Sequence, residues 1–183
     1  MTTDTSRRLI PDPPSDVAAE QHALLDQLPH LVDALYGTDY TIESCSTDDY
    51  NCLAWAMGDC SQPWSPSLQG GYYWPPDLVV GLPVVEVVAE LFRRDGYAEC
   101  GDSGLVAGAE KVAIYADSFR EVRHVARQLS SGWWASKLGD LGDIEHATLE
   151  LVECGLYGRV APDREILLTS DRENSPPLTS MSR

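Results

Sequence analysis

Two residues in this chain have the types and surroundings for nucleophilic chemistry. Cys52 lies in Asp48-Asp49-Tyr50-Asn51-Cys52-Leu53-Ala54-Trp55-Ala56-Met57-Gly58, and His124 in Arg123-His124-Val125-Ala126-Arg127-Gln128. A cysteine attacks as its thiolate, so its pKa has to fall, and a histidine within hydrogen-bonding reach can take the proton. The expected outcome is a thiolate–imidazolium pair that attacks an amide or thioester carbonyl. Thr47, Asp48 and Asp49 can each cap a helix with its body at Asn51 to Met57 and its stop at Gly58. That places Cys52 beside unsatisfied amides at a helix start. Asp48 and Asp49 oppose a second negative charge there unless they turn outward.

A third member has to fix the imidazole tautomer. Ser136, Lys137, Gln128 and Asp143 are all candidates. His146 is a second one, as orienting partner of His124, as a lower-ranked base, or as a plain loop histidine. An oxyanion hole needs donors aimed at the developing charge, and the Cys52 amide with Asn51 or Tyr50 can supply them. Trp74, with Trp64 and Tyr72, belongs to a Pro-, Gly- and aromatic-rich stretch over residues 59–83. Such a stretch reads as a long ordered loop, either a wall of a substrate cleft or a roof over the core. The plain alternative for Cys52 is an inert buried thiol. His22 and His30 read as surface or helix-end residues.

Other chemistries have less support. Cys45, Cys52, Cys60 and Cys100 form no C-x-x-C pair and no tight His/Cys cluster, so neither metal nor cofactor is expected. Gly101-Asp102-Ser103-Gly104 lacks the lysine and spacing of a phosphate loop. A net charge of -16 argues against nucleic acid and anionic membrane surfaces, which need clustered Lys and Arg. No apolar run is long enough to span a bilayer, and Met1 to Ile10 does not read as a secretory signal. With five cysteines at irregular spacing, a cytoplasmic address with free thiols is the expectation.

The elements that must position these residues follow from composition. Residues 1–15 read as a flexible leader, 16–168 as a single α+β domain, and 169–183 as a disordered tail. Val17 to Leu28 has helical spacing, with a second short turn at His30 to Tyr36. Val84 to Arg94 is amphipathic and opens after Pro83. Tyr97 to Cys100 can start the sheet, and Glu110 to Ala116 is a strand by its β-branched and aromatic content. Phe119 to Leu129 and Trp133 to Leu138 complete an antiparallel meander. Asp140 to His146 reads as a polar loop, Ala147 to Val152 as a short helix, and Leu156 to Ala161 as a last strand. The architecture expected is a set of N-terminal helices, one bearing Cys52, packed on an antiparallel β-meander.

Tyr50-Asn51-Cys52-Leu53-Ala54-Trp55-Ala56, Tyr73-Trp74-Pro75, Glu110-Lys111-Val112-Ala113-Ile114-Tyr115-Ala116, His124-Val125-Ala126-Arg127-Gln128-Leu129 and Trp134-Ala135-Ser136-Lys137-Leu138-Gly139 together resemble a bacterial family of uncharacterised domains. The order of these motifs is similar to that of the papain-like superfamily, particularly NlpC-type amidases and peptidases, in which a helix-borne Cys precedes a strand-borne His. The resemblance implies a papain-like fold, Cys52 as nucleophile and His124 as base. It is one of layout: Asn51 stands where those enzymes carry Asp, Leu53-Ala54 replaces a Ser-Gly pair, and Val112-Ala113-Ile114-Tyr115 lacks their histidine.

Two functions of different class follow. One is a papain-like cysteine hydrolase or acyl transferase acting on an amide or thioester, which requires the Cys52 sulfur near His124. The other is a non-enzymatic acidic domain binding a protein partner through its aromatic loop. A fully enclosed Cys52 and a His124 turned to the opposite sheet face are what the second predicts.

Overall fold

Val112-Ala113-Ile114-Tyr115 is an unbroken apolar run, the pattern of a strand covered on both faces. In the computed structural model it is the middle of β3 (Ala109–Ala116), where every residue from Val112 to Ala116 is buried. The structure describes residues 39–66, 71–79, 83–160 and 167–171, with Ala19, Ala23, Leu24, Asp26, Leu28 and Pro29. The expected leader, His22, His30, the turn to Tyr36 and the end of the tail lie outside the described residues.

The other elements are β1 (Tyr40–Ile42), α1 (Cys52–Met57), α2 (Val84–Arg94), β2 (Ala98–Cys100), β4 (Val122–Gln128), β5 (Trp134–Lys137), β6 (Asp143–His146), a 3-10 turn (Leu149–Val152), β7 (Arg159–Val160) and β8 (Leu167–Asp171). They form one sheet in the order β1-β6-β5-β4-β3-β8-β2, with β7 paired to β3. Every pairing is antiparallel. The mixed helix–strand class and the antiparallel meander of β3, β4 and β5 agree with the sequence. The expected polar loop at residues 140–146 is instead largely strand β6, and the expected helix before Glu153 is a single 3-10 turn. The expected domain end at residue 168 falls inside β8.

Both faces of the sheet are covered. On one, Val85, Val88, Leu91 and Phe92 of α2 and Leu53 and Ala56 of α1 pack on Val112, Ile114 and Val125. On the other, Leu24, Leu28, Leu149, Val152 and Tyr157 pack on Ala113, Tyr115, Ala126 and Trp134. Removing such groups from water is the main stabilising term, about 25 cal/mol for each Å² of apolar surface. The α2 helix follows its sequence closely, with Val and Leu facing the sheet and Arg93–Glu99 and Arg94–Asp77 pairs in solvent.

One irregularity decides the orientation of β4. Tyr115 pairs with His124, yet Ala116 pairs with Val122, so Arg123 is an extra residue bulged out of the ladder. Without it Val122 and His124 would share a face. With it Val122 packs against the α2 side, Arg123 reaches out to Asp117 at 2.7 Å, and His124 points to the other side against Tyr115 and Tyr157. Bulges of this kind re-aim a side chain.

Candidate functional site

The helix that carries Cys52 begins one residue later than its acidic flank suggests. Its N-cap is Asn51, not Thr47, Asp48 or Asp49. Asn51 Oδ1 accepts from Ala54 N at 3.0 Å and from Trp64 N at 3.1 Å, and Nδ2 donates to Trp64 O at 2.6 Å. A carboxamide can accept and donate together, and here it fastens α1 to the aromatic loop. Gly58 closes the helix in the left-handed region at φ 88°. Trp64 in turn donates to Asp59 at 2.8 Å and meets the Tyr73 ring at a tilt of 57°. Trp74 donates to Leu78 O at 2.9 Å and packs on the core.

Cys52 keeps some exposed surface, but its thiol lies among packed groups. Burial is the largest influence on it and pushes its pKa up. Opposing this are the amides of Val125, Leu53 and Cys52 itself, and the charge of Lys137. Val125 is one residue beyond the last β4–β5 pair, Ala126 with Ser136, so the sulfur meets the sheet where these two strands part.

His124 is fully buried, and its Nε2 is 2.8 Å from Ser136 Oγ. The same oxygen is 2.8 Å from His146 Nε2, and His146 Nδ1 is 2.7 Å from Thr148 O. These contacts fix every proton. A carbonyl only accepts, so His146 carries its proton on Nδ1 and its Nε2 is an acceptor. Ser136 therefore donates to His146, and can only accept from His124. His124 is left with Nε2–H and a lone pair on Nδ1. That Nδ1 is buried and has no hydrogen-bond partner, Cys52 included.

Burial, then the nearby charge of His146, pushes the His124 pKa down to about 3. Burial takes His146 to about 4, against the raising effect of its Thr148 bond. Both imidazoles are thus neutral near pH 7. The expected resting thiolate–imidazolium pair is not formed, because desolvation disfavours both charges.

Lys137 and Asp143 pair across β5 and β6, and both are buried. Lys137 Nζ donates to Thr47 O at 2.8 Å and to the carbonyls of Gly139 and Leu141, and lies 5.4 Å from the Tyr50 ring. Asp143 Oδ2 accepts from Tyr50 at 2.8 Å and Ser44 at 2.9 Å. Gly142 comes so close to this loop that a Cβ would sit 2.1 Å from the Ser44 carbonyl oxygen. Burial pushes the Asp143 carboxyl up, against the lowering bonds of Tyr50 and Ser44.

Of the residues the sequence singled out, His124, Ser136 and His146 form one chain of hydrogen bonds. Tyr50 and Asp143 form a second with Ser44, and Asn51 and Trp74 serve the loop above α1. Cys52 joins β4 through Val125 and lies on the helix side of the sheet, while the His124 ring faces the opposite side. Sequence reasoning missed Ser44, which follows β1 and carries no local signal. Among the described residues no cluster of three or more His, Cys, Asp or Glu could hold a metal. No helix among them is long and apolar enough to cross a membrane.

No curated protein and no solved structure matches the chain. A family model described as a domain of unknown function, DUF7689, matches residues 41–162. That span takes in every residue of both hydrogen-bonded networks, and the chain belongs to the DUF7689 family.

Proposed function

We propose that this domain is a papain-like thiol acyl-transfer enzyme that hydrolyses or exchanges an amide or thioester, with Cys52 as nucleophile and His124 as base. The observation that carries this reading is the fixed tautomer of His124. Its Nε2 proton is committed to Ser136, and its Nδ1 lone pair is left open, on the strand whose next residue, Val125, meets the thiol through its amide. An unpaired buried acceptor is costly, about 1–3 kcal/mol, and a base awaiting a proton explains its retention.

In the reaction the Cys52 sulfur attacks the carbonyl carbon as its proton passes to His124 Nδ1. The imidazolium then protonates the departing amine or thiol, leaving a thioester on Cys52. Water attacks that thioester, giving its proton to His124, and the acid leaves as the thiol is restored. Ser136 and His146 are positioning residues that hold the ring in one tautomer. The His124 ring and the Cys52 sulfur lie on opposite sides of the sheet at rest, so this reading requires the ring to turn to the Cys52 side, where β4 and β5 part, before the proton passes. This reading assumes an intracellular bacterial setting, in keeping with free thiols.

The test is a panel of aromatic and aliphatic acyl thioesters and peptidyl amides, with mass spectrometry of the trapped protein. The expected result is an acyl adduct on Cys52, absent in Cys52→Ala and at least about a hundredfold slower in His124→Gln. Acylation spread over the other cysteines, or equal in His124→Gln, would overturn it.

The placement of His124 favours a second reading, a non-enzymatic partner-binding domain. Its ring is enclosed between Tyr115 and Tyr157 on the side of the sheet opposite Cys52, the arrangement that reading predicts, while Tyr72, Tyr73 and Val79 are exposed near the aromatic loop. Under that reading Cys52→Ala leaves partner capture unchanged and Tyr72→Ala abolishes it.

A further inference from the structure

Lys137 is a charged side chain with no exposed surface, next in sequence to the serine that orients His124. Consecutive strand residues point to opposite faces. Ser136 therefore serves the His124 side, while Lys137 reaches the α1 side that Tyr50 and Ala135 share. Its environment settles its charge. An ammonium has three N–H donors, and Lys137 faces three carbonyl oxygens, those of Thr47, Gly139 and Leu141. A neutral amine would turn a lone pair on one of them. Burial pushes the Lys137 pKa down, against the nearby carboxylates, but three acceptors around Nζ select the cation.

We infer that Lys137 is the positioning residue for the nucleophile: its buried ammonium anchors the Thr47–Tyr50 approach to α1 and provides the positive charge that supports the Cys52 thiolate. The role deepens the acyl-transfer reading and rests on it. Thr47 and Tyr50 lie just before Cys52, so one Nζ fixes the path into the helix from below. The bonds to Gly139 and Leu141 tie the same atom to the turn that leads into Asp143. Ser136 and Lys137 thus make one strand segment that holds the base on one face and the nucleophile on the other.

The groups facing this charge can be named by element. Asp143 comes from β6, Asp140 from the turn before it, and Asp48 from the segment before α1, and all three favour the ammonium. His124 of β4 is neutral and turned to the other side of the sheet. Tyr157, beyond the 3-10 turn, feels the Cys52 charge, and burial with nearby acids pushes its own pKa up. Lys137 shares the α1 side of the sheet with the thiol, and its charge acts on the sulfur in the direction of the thiolate.

The experiment is a pH titration of Cys52 by ultraviolet thiolate absorbance, taken as the difference from Cys52→Ser. Lys137→Met should raise the midpoint so that the thiolate fraction at a fixed pH falls about tenfold or more, while Lys137→Arg should restore it to within about threefold. A wild-type midpoint in a folded Lys137→Met protein would overturn the inference. Should Lys137→Met fail to fold, Lys137→Gln carries the test, since its amide can still donate to the carbonyls but has no charge, and it must raise the Cys52 midpoint in the same direction. A wild-type midpoint in a folded Lys137→Gln protein would also overturn it. The titration is separate from catalysis. Midpoints that move as stated while no acyl adduct forms on Cys52 would retire the hydrolase reading and keep Lys137 as the charge partner of the thiol.

Discussion

Ser136 Oγ stands 2.8 Å from Nε2 of His124 and uses its one proton on His146, so it can only accept from His124. Ser136→Ala leaves two imidazole nitrogens buried without a partner. The expected loss is about 2–4 kcal/mol, from the cost of unsatisfied buried groups, read as a lower urea midpoint with an unchanged slope. A loss under about 0.5 kcal/mol would mean the relay contributes little.

Acid should unfold this protein through its histidines. Folded pKa values of about 3 for His124 and about 4 for His146 lie below the ordinary histidine value, near 6.5. The unfolded chain therefore binds more protons between these limits, and stability rises with pH across the window. The contribution is complete above about pH 6.5 and is lost as pH falls through 4 toward 3. Between pH 6.5 and 4.5 it amounts to on the order of 2 kcal/mol for each histidine. Urea midpoints at several pH values in wild type and in His124→Gln/His146→Gln measure it. The double variant should be weaker at pH 7 and flatter below it.

Asn51 caps α1 with one bond and ties it to the aromatic loop with two. Asn51→Ala should cost about 2–3 kcal/mol, combining a lost cap with lost loop anchoring. Asn51→Asp keeps the cap acceptor but sets a carboxylate oxygen against Trp64 O. The variant should regain less than half of the loss, and proteolysis around Trp64 should accelerate in both.

Cys45 is exposed, whereas the Cys52 thiol is held up in pKa by burial. Under native conditions iodoacetamide should therefore modify Cys45 before Cys52, by about tenfold or more. Peptide mapping over time gives the order. Faster labelling at Cys52 would mean that the resting site is open and its thiol already ionised, the state the sequence suggested.

Much of the frame was legible from local pattern. The apolar run Val112 to Tyr115 marked β3, the Val and Leu spacing after Pro83 marked α2, and Gly58 marked the end of the Cys52 helix. The strand β6 was not legible, because Asp143-Ile144-Glu145-His146 carries a single apolar side chain and looks solvated. It is a strand because Asp143 finds buried partners in Ser44 and Tyr50 of the loop after β1, and His146 finds one in Ser136 of β5. The cap at Asn51 was hidden behind three equally good residues, and Trp64 decided among them.

The sequence by itself determined which residues are chemically able: one cysteine at a helix start, one histidine on a strand, and a serine and a lysine side by side on the next. Only the tertiary structure decided what they do to each other. Proton positions in the His124–Ser136–His146 chain are set by Thr148, and the charge of Lys137 by three carbonyls from two loops. Residues far apart in the chain meet there, and a tautomer or a buried charge is a property of the whole enclosure. The bulge at Arg123 is the clearest case: one extra residue sets which side of the sheet His124 faces.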